Sequence, residues 1–141
     1  MNDTAANENI DAELLEVVKG LAELTWDLKG LNTVAIDLRT IVSYTDYVVI
    51  CTGTSERHVQ ALARRLDTAM RESGRPPLGT EGVEHGRWAL LDYGDIIVHI
   101  FNGEARADYN LERMWLEAPR VEFENQPKDL YGHFEMEQFG G

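Results

Sequence analysis

Apolar residues recur along this chain in two rhythms, and the changes between them outline its elements. From Asp11 onward, Leu14, Leu15, Val18, Leu21, Ala22, Thr25 and Leu28 fall at three- and four-residue intervals. That is the spacing of one helix face. Gly30 follows as a stop. Residues 33–38 then alternate, with Val34, Ile36 and Leu38 on one side, and predict a strand. Residues 47–51, YVVIC, are apolar on both sides and predict a central strand. The short link from Leu38 to Tyr47 has no room for a crossover helix, so these two strands should run antiparallel. Ser55 caps a second helix, with Glu56 in the first turn where the helix dipole favours an acid. Its stripe is Val59, Leu62, Ala63, Leu66, Ala69 and Met70, and Gly74 ends it. A short edge strand is expected around residues 78–81.

Residues 87–101, RWALLDYGDIIVHIF, organise the rest. Two short apolar runs flank Asp92-Tyr93-Gly94-Asp95, which predicts a β-hairpin. A turn centred on Tyr93-Gly94 sets Leu91 against Ile96, Leu90 against Ile97, Ala89 against Val98 and Trp88 against His99. One face then carries Ala89, Leu91, Ile96, Val98 and Ile100, with no polar group. The other carries Trp88, Leu90, Asp92, Asp95, Ile97 and His99. An aromatic anchor beside acids is the composition of an interaction surface. Short helical segments are expected at 104–109 and 111–115.

The order of elements predicts an α/β (α+β) fold in which a mixed β-sheet is flanked by helices. Residues 1–10 are small and polar, and read as a disordered lead. A domain then spans 11–117. Residues 118–141 form an acidic C-terminal tail without a period, yet Val121, Phe123, Leu130, Tyr131, Phe134 and Phe139 make it too apolar for an inert spacer.

Charge narrows the partners. The 141 residues carry 25 acidic against 13 basic side chains, a net charge of −12. Such a chain is repelled by phosphate, which argues against direct nucleic-acid binding or an anionic membrane surface. On charge alone the acidity first reads as an aid to solubility, and otherwise suits a basic partner. The N-terminus lacks a secretory pattern and no stretch approaches a membrane span, so a cytoplasmic location is expected. The single cysteine, Cys51, lies in the central strand and reads as a small buried hydrophobe.

Candidate chemistry is sparse. Gly53-Thr54-Ser55 precedes a helix and could hold an anion, but lacks the lysine of a phosphate-binding loop and first reads as a capped helix start. Asp92 and Asp95 could converge on a metal, with Glu81, Asp37 or His99 as third ligand, but aspartate at a turn has an ordinary structural reason. His58, His85, His99 and His133 have no ligand spacing. No metal or other cofactor is expected.

An ordered set of short motifs adds to this. It comprises Thr45-Asp-Tyr47, Cys51-Thr-Gly-Thr-Ser55, Arg57-His-Val59, Pro77-Leu-Gly79, Glu81-Gly82, Trp88, Leu91-Asp-Tyr-Gly-Asp95, Val98-His-Ile-Phe101 and Tyr109-Asn-Leu-Glu-Arg-Met-Trp115. In order and spacing it resembles the ribosomal silencing factor family, also called Iojap, over residues 14–121. The resemblance implies a nucleotidyltransferase-like topology without the catalytic set, hence no enzyme. It also implies a translational repressor that binds the large ribosomal subunit through ribosomal protein uL14 and sterically blocks the small subunit. The binding surface it implies includes Trp88, Asp92, Tyr93 and Asp95, with Glu81, His99, Arg106 and Tyr109 beside them. Two alternatives stay open: a nucleotidyltransferase-like nucleotide-binding protein, and a dimerisation module in which the hairpin face pairs with itself as a homodimer.

Overall fold

A computed structural model describes residues 2–132, with residues 2–9 as backbone only. Helix α1 (Asn2–Asp27) leads into strands β1 (Leu31–Asp37) and β2 (Tyr47–Gly53). Helix α2 (Glu56–Glu72) follows, then β3 (Gly79–Glu81), β4 (Trp88–Asp92), β5 (Ile96–Asn102) and α3 (Gly103–Tyr109). Two 3₁₀ turns, Leu111–Trp115 and Lys128–Leu130, complete the described chain. The helix begins at Asn2, ahead of the Asp11 where the apolar stripe starts.

The five strands form one mixed sheet in the order β1-β2-β5-β4-β3. Only β2 and β5 are parallel; the β1·β2, β4·β5 and β3·β4 pairs are antiparallel. The expected α+β class, the antiparallel first pair and the edge strand at 79–81 are therefore present. Every residue of β2 is buried, as its two-sided apolar pattern requires.

Helices α1 and α2 cover one face. Their stripes, including Leu14, Val18, Leu21, Val59, Leu62 and Leu66, pack on Ala35, Val49, Cys51, Ala89, Leu91, Ile96, Val98 and Ile100. Fully burying each large aliphatic side chain stabilises by roughly 1.5–3 kcal/mol, so this layer carries much of the fold. Ser55 caps α2 by accepting the His58 amide at 3.0 Å. After α1, Lys29 takes the left-handed conformation (φ 62°) and Gly30 donates to the Thr25 carbonyl at 2.7 Å. Gly30 is there for space: a Cβ would lie 2.6 Å from the Cys51 sulfur.

The opposite face is covered unevenly. Ala105 of α3, Trp115 and Ala118 pack with Ile36, Val48, Ile50 and Phe101. The β4 side of that face is left half-open, with Trp88, Leu90, Asp92 and Ile97 only partly buried.

The hairpin register differs from the expected one by two residues. Trp88 lies opposite Phe101, Leu90 opposite His99 and Leu91 opposite Val98. The two-residue loop is Gly94-Asp95, closed by the Tyr93 amide donating to the Ile96 carbonyl at 2.9 Å. Gly94 has φ +87° and Asp95 has no positive φ. Glycine at the first central position is the type II′ requirement, whereas the expected turn placed it second. A shift of two preserves the side-chain alternation, so both faces keep the residues expected of them.

The segment after Leu116 is part of the fold as far as it is described. Val121 donates to the Ala35 carbonyl, and Asp37 to the Pro119 carbonyl, each at 2.8 Å. Arg120 thereby bridges Ile36 on the outer edge of β1. Farther on, Phe123 and Tyr131 pack edge-on against Trp26. His133, Phe134 and Phe139 lie outside the described residues.

Candidate functional site

Registers across the sheet place side chains of the half-open face in rows. One row runs Val34, Ile50, His99, Leu90 and Glu81 from β1 to β3. Another holds Ile36, Val48, Ile97 and Asp92, and a third Thr52, Phe101 and Trp88. The β3-β4-β5 ends of these rows bring together Glu81, Leu90, Asp92, Ile97, His99 and Trp88.

Trp88 is the centre of a ring cluster. It stacks on Phe101 at 5.0 Å, lies 4.4 Å from Tyr109, and donates its indole N–H to His99 Nδ1 at 3.0 Å. Tyr109, at the end of α3, is 48% exposed and extends the cluster outward. The Arg87 guanidinium lies 6.0 Å above the Tyr109 ring and 3.4 Å from Asp108. His99 is 7% exposed, and burial pushes its pKa down to about 4, which keeps the imidazole neutral. The arrangement is an aromatic ledge with an apolar floor of Leu90 and Ile97, bounded by the carboxylates of Glu81 and Asp92.

The remaining expected residues sit elsewhere. Tyr93 points to the α2 face, and its hydroxyl donates to Asp67 at 2.7 Å. Burial and that carboxylate raise its pKa. Asp95 is at the hairpin tip, 3.4 Å from Arg75, and its carbonyl accepts the amides of Asp46 and Tyr47. The pKa of Asp46 is raised, first by burial and then by the neighbouring Asp95 charge. Arg106 is 4% exposed. It bonds Glu112 at 2.8 Å, Thr52 Oγ1 at 3.0 Å and the Asn32 carbonyl, so it ties α3 to the sheet.

Leu90 and Ile97 were absent from the expected binding residues because an aliphatic side chain in a strand reads as core. Their position beside Trp88 in the alternation was the available signal. Met114 and Leu116 are also strongly exposed, on either side of the buried Trp115.

The two chemical alternatives find little support. Asp92 Oδ1 accepts the Gly94 amide at 2.8 Å, while Asp95 faces Arg75, so each aspartate has its own partner. In the Gly53-Thr54-Ser55 loop, the Thr54 amide donates to His58 Nδ1 at 2.9 Å. A Cβ on Gly53 would lie 2.8 Å from Val59, so that glycine serves strand-to-helix packing. His58 Nε2 lies 2.7 Å from the Leu28 carbonyl, which ties this loop to the end of α1. No described helix is long and apolar enough to cross a membrane.

Comparison with known proteins agrees with this architecture. The chain is 40% identical over 112 residues to a ribosomal silencing factor of Halalkalibacterium halodurans, covering 79% of this chain and 93% of that protein. It superposes on a crystal structure from Chromobacterium violaceum with a TM-score of 0.70 at 31% identity, covering 79% and 92% of the two chains. A mouse protein named for mitochondrial assembly of the ribosomal large subunit is 35% identical over 75 residues, covering 51% of this chain and 33% of that protein. The family described as ribosomal silencing factor during starvation matches residues 11–138, taking in most of the segment expected to be a tail. The family match over residues 11–138 and these relatives show it: the chain belongs to the ribosomal silencing factor family.

Proposed function

We propose that this protein represses translation by binding the large ribosomal subunit through ribosomal protein uL14 and sterically blocking the small subunit. The observation that carries this reading is the half-open β3-β4-β5 face. There the Trp88–Tyr109 ledge and the Leu90–Ile97 floor offer an aromatic and apolar anchor of the kind that dominates binding energy. Glu81 and Asp92 border it, and with a net charge of −12 they suit a basic protein surface. Tyr93, Asp95 and Arg106 act from behind the surface. Tyr93 fixes the hairpin to α2, Asp95 holds the turn, and Arg106 holds α3 so that Tyr109 reaches Trp88. The family name supports the ribosomal silencing role, and the mouse relative's name supports the large subunit.

The test is co-sedimentation with purified large subunits and an assay of subunit joining. Trp88→Ala should weaken binding by at least ~2 kcal/mol, as loss of a central aromatic does. Glu81→Lys reverses an exposed charge that makes no side-chain hydrogen bond among the described residues. It should slow association and flatten the salt dependence. The reading is wrong if both variants co-sediment and block joining as the unmodified protein does.

A further inference from the structure

We propose that His99 is the positioning residue of this surface: it holds the Trp88 indole in one orientation and leaves contact with the partner to Trp88. The inference rests on the ledge being the binding surface. Trp88 and His99 are not opposite each other; their bond runs diagonally, because Trp88 pairs with Phe101 and Leu90 with His99. Phe101 fixes the plane of the indole by stacking at 5.0 Å, and Tyr109 packs against it at 4.4 Å with its ring tilted by 45°. Stacking alone does not choose between the two ways round that an indole can lie in that plane. The terminal torsion of an aromatic side chain is broad and roughly two-fold. The acceptor chooses. Only one orientation sets the Nε1–H 3.0 Å from His99 Nδ1, and the other would leave a half-buried donor without that partner.

Accepting at Nδ1 requires that the ring proton sit on Nε2. Protonation of Nδ1 would set two donors against each other and release the indole. The charged groups around His99 are Glu81 of β3, Asp92 of β4, and Arg87 with Asp108 beside Tyr109. Arg106 of α3 is bonded to Glu112, and β2 presents the uncharged Ile50 in the same row. Burial is what keeps the ring neutral, with its pKa near 4. With one ring edge on Trp88 and 7% exposure, His99 has little surface left for a partner.

Two substitutions separate positioning from contact. His99→Phe keeps a flat ring and removes the acceptor; His99→Asn keeps an oxygen close to the Nδ1 position. Large-subunit binding should weaken about tenfold in His99→Phe, the worth of one hydrogen bond, and stay within about twofold in His99→Asn. Nitrogen NMR of the unmodified protein reads the same bond without any variant. At neutral pH, His99 should show the Nε2-protonated tautomer. The Trp88 indole signal should move as the pH falls toward about 4, and stay in place in His99→Asn. Undiminished binding by His99→Phe alongside weakened binding by Trp88→Ala would overturn the inference and spare the surface. An indole signal that ignores the histidine titration would overturn it too, even where His99→Phe fails to fold. Normal binding by Trp88→Ala would sink the surface reading, and the inference with it.

Discussion

Two tryptophans in this molecule are built alike and covered differently. Trp26 donates its indole N–H to the Tyr131 hydroxyl at 2.8 Å and meets Phe123 edge-on at 5.3 Å. Trp88 donates to His99 at 3.0 Å and stacks on Phe101. In both clusters neighbouring rings pack on the indole and a titratable partner takes the N–H. The difference is cover. The chain returns over Trp26 with Phe123, Leu130 and Tyr131, and leaves it 9% exposed. Nothing among the described residues returns over Trp88 in this way. An aromatic cluster closed by its own chain is a fastening; the same chemistry left half-open is what the proposed binding surface would use.

Truncating each tryptophan separates the two roles. Trp26→Ala should destabilise folding by about 3–5 kcal/mol, because it removes a large buried ring and the partner of Tyr131. Thermal unfolding measures this, and a loss no larger than that of Trp88→Ala would erase the contrast.

Acid and base should then attack the clusters separately. His99 titrates at about 4 in the folded chain against 6.5 when unperturbed. Between those values the unfolded chain takes up a proton that the folded chain refuses. Stability present above about pH 6.5 is lost as the pH falls toward 4, by an amount on the order of 3 kcal/mol. Tyr131 shows the opposite dependence. Burial pushes its pKa from 10.0 to about 12, so the unfolded chain loses its proton first and stability falls as the pH rises through that window. Denaturant unfolding across pH, repeated on His99→Asn and Tyr131→Phe, should show that each variant flattens only its own limb.

The smallest effect is expected from Tyr131→Phe at neutral pH. The hydroxyl accepts from Trp26 and donates to the Thr33 carbonyl at 2.8 Å, and its removal should cost about 1–3 kcal/mol. Large-subunit binding by the folded fraction should be unchanged, since the bond lies in the Trp26 cluster. A binding defect would show that the two clusters are coupled.

Local periodicity made most of this fold legible. Helix stripes, the buried β2 run and the alternation of the hairpin are short-range signals, and the even register error left both hairpin faces intact. The candidate site was legible in its Trp88, Asp92, Glu81, His99 and Tyr109. Arg106 was expected there too, but it is buried and bonded to Glu112, Thr52 and Asn32, and a motif does not reveal burial. What periodicity could not reveal was the path of residues 118–132. Tyr131 reaches Trp26 across 105 positions and Thr33 across 98, and such contacts leave no rhythm in the segment that makes them. The surplus of aromatics in an acidic stretch was the only local sign.

Residues 119–121 also determine what the sheet can do to its neighbours. An unpaired edge strand is a template for the edge of another chain. Residues 119–121 bond to β1, the apolar outer strand, and present to solvent an exposed Pro119, which has no amide proton, and the charged side chain of Arg120. The edge at β3 is only three residues long. Because this cap follows the sheet in the chain, a nascent molecule carries an open β1 edge until residues 119–121 emerge. That interval, and any proteolytic clip before Pro119, is where this protein is most exposed to edge-to-edge aggregation.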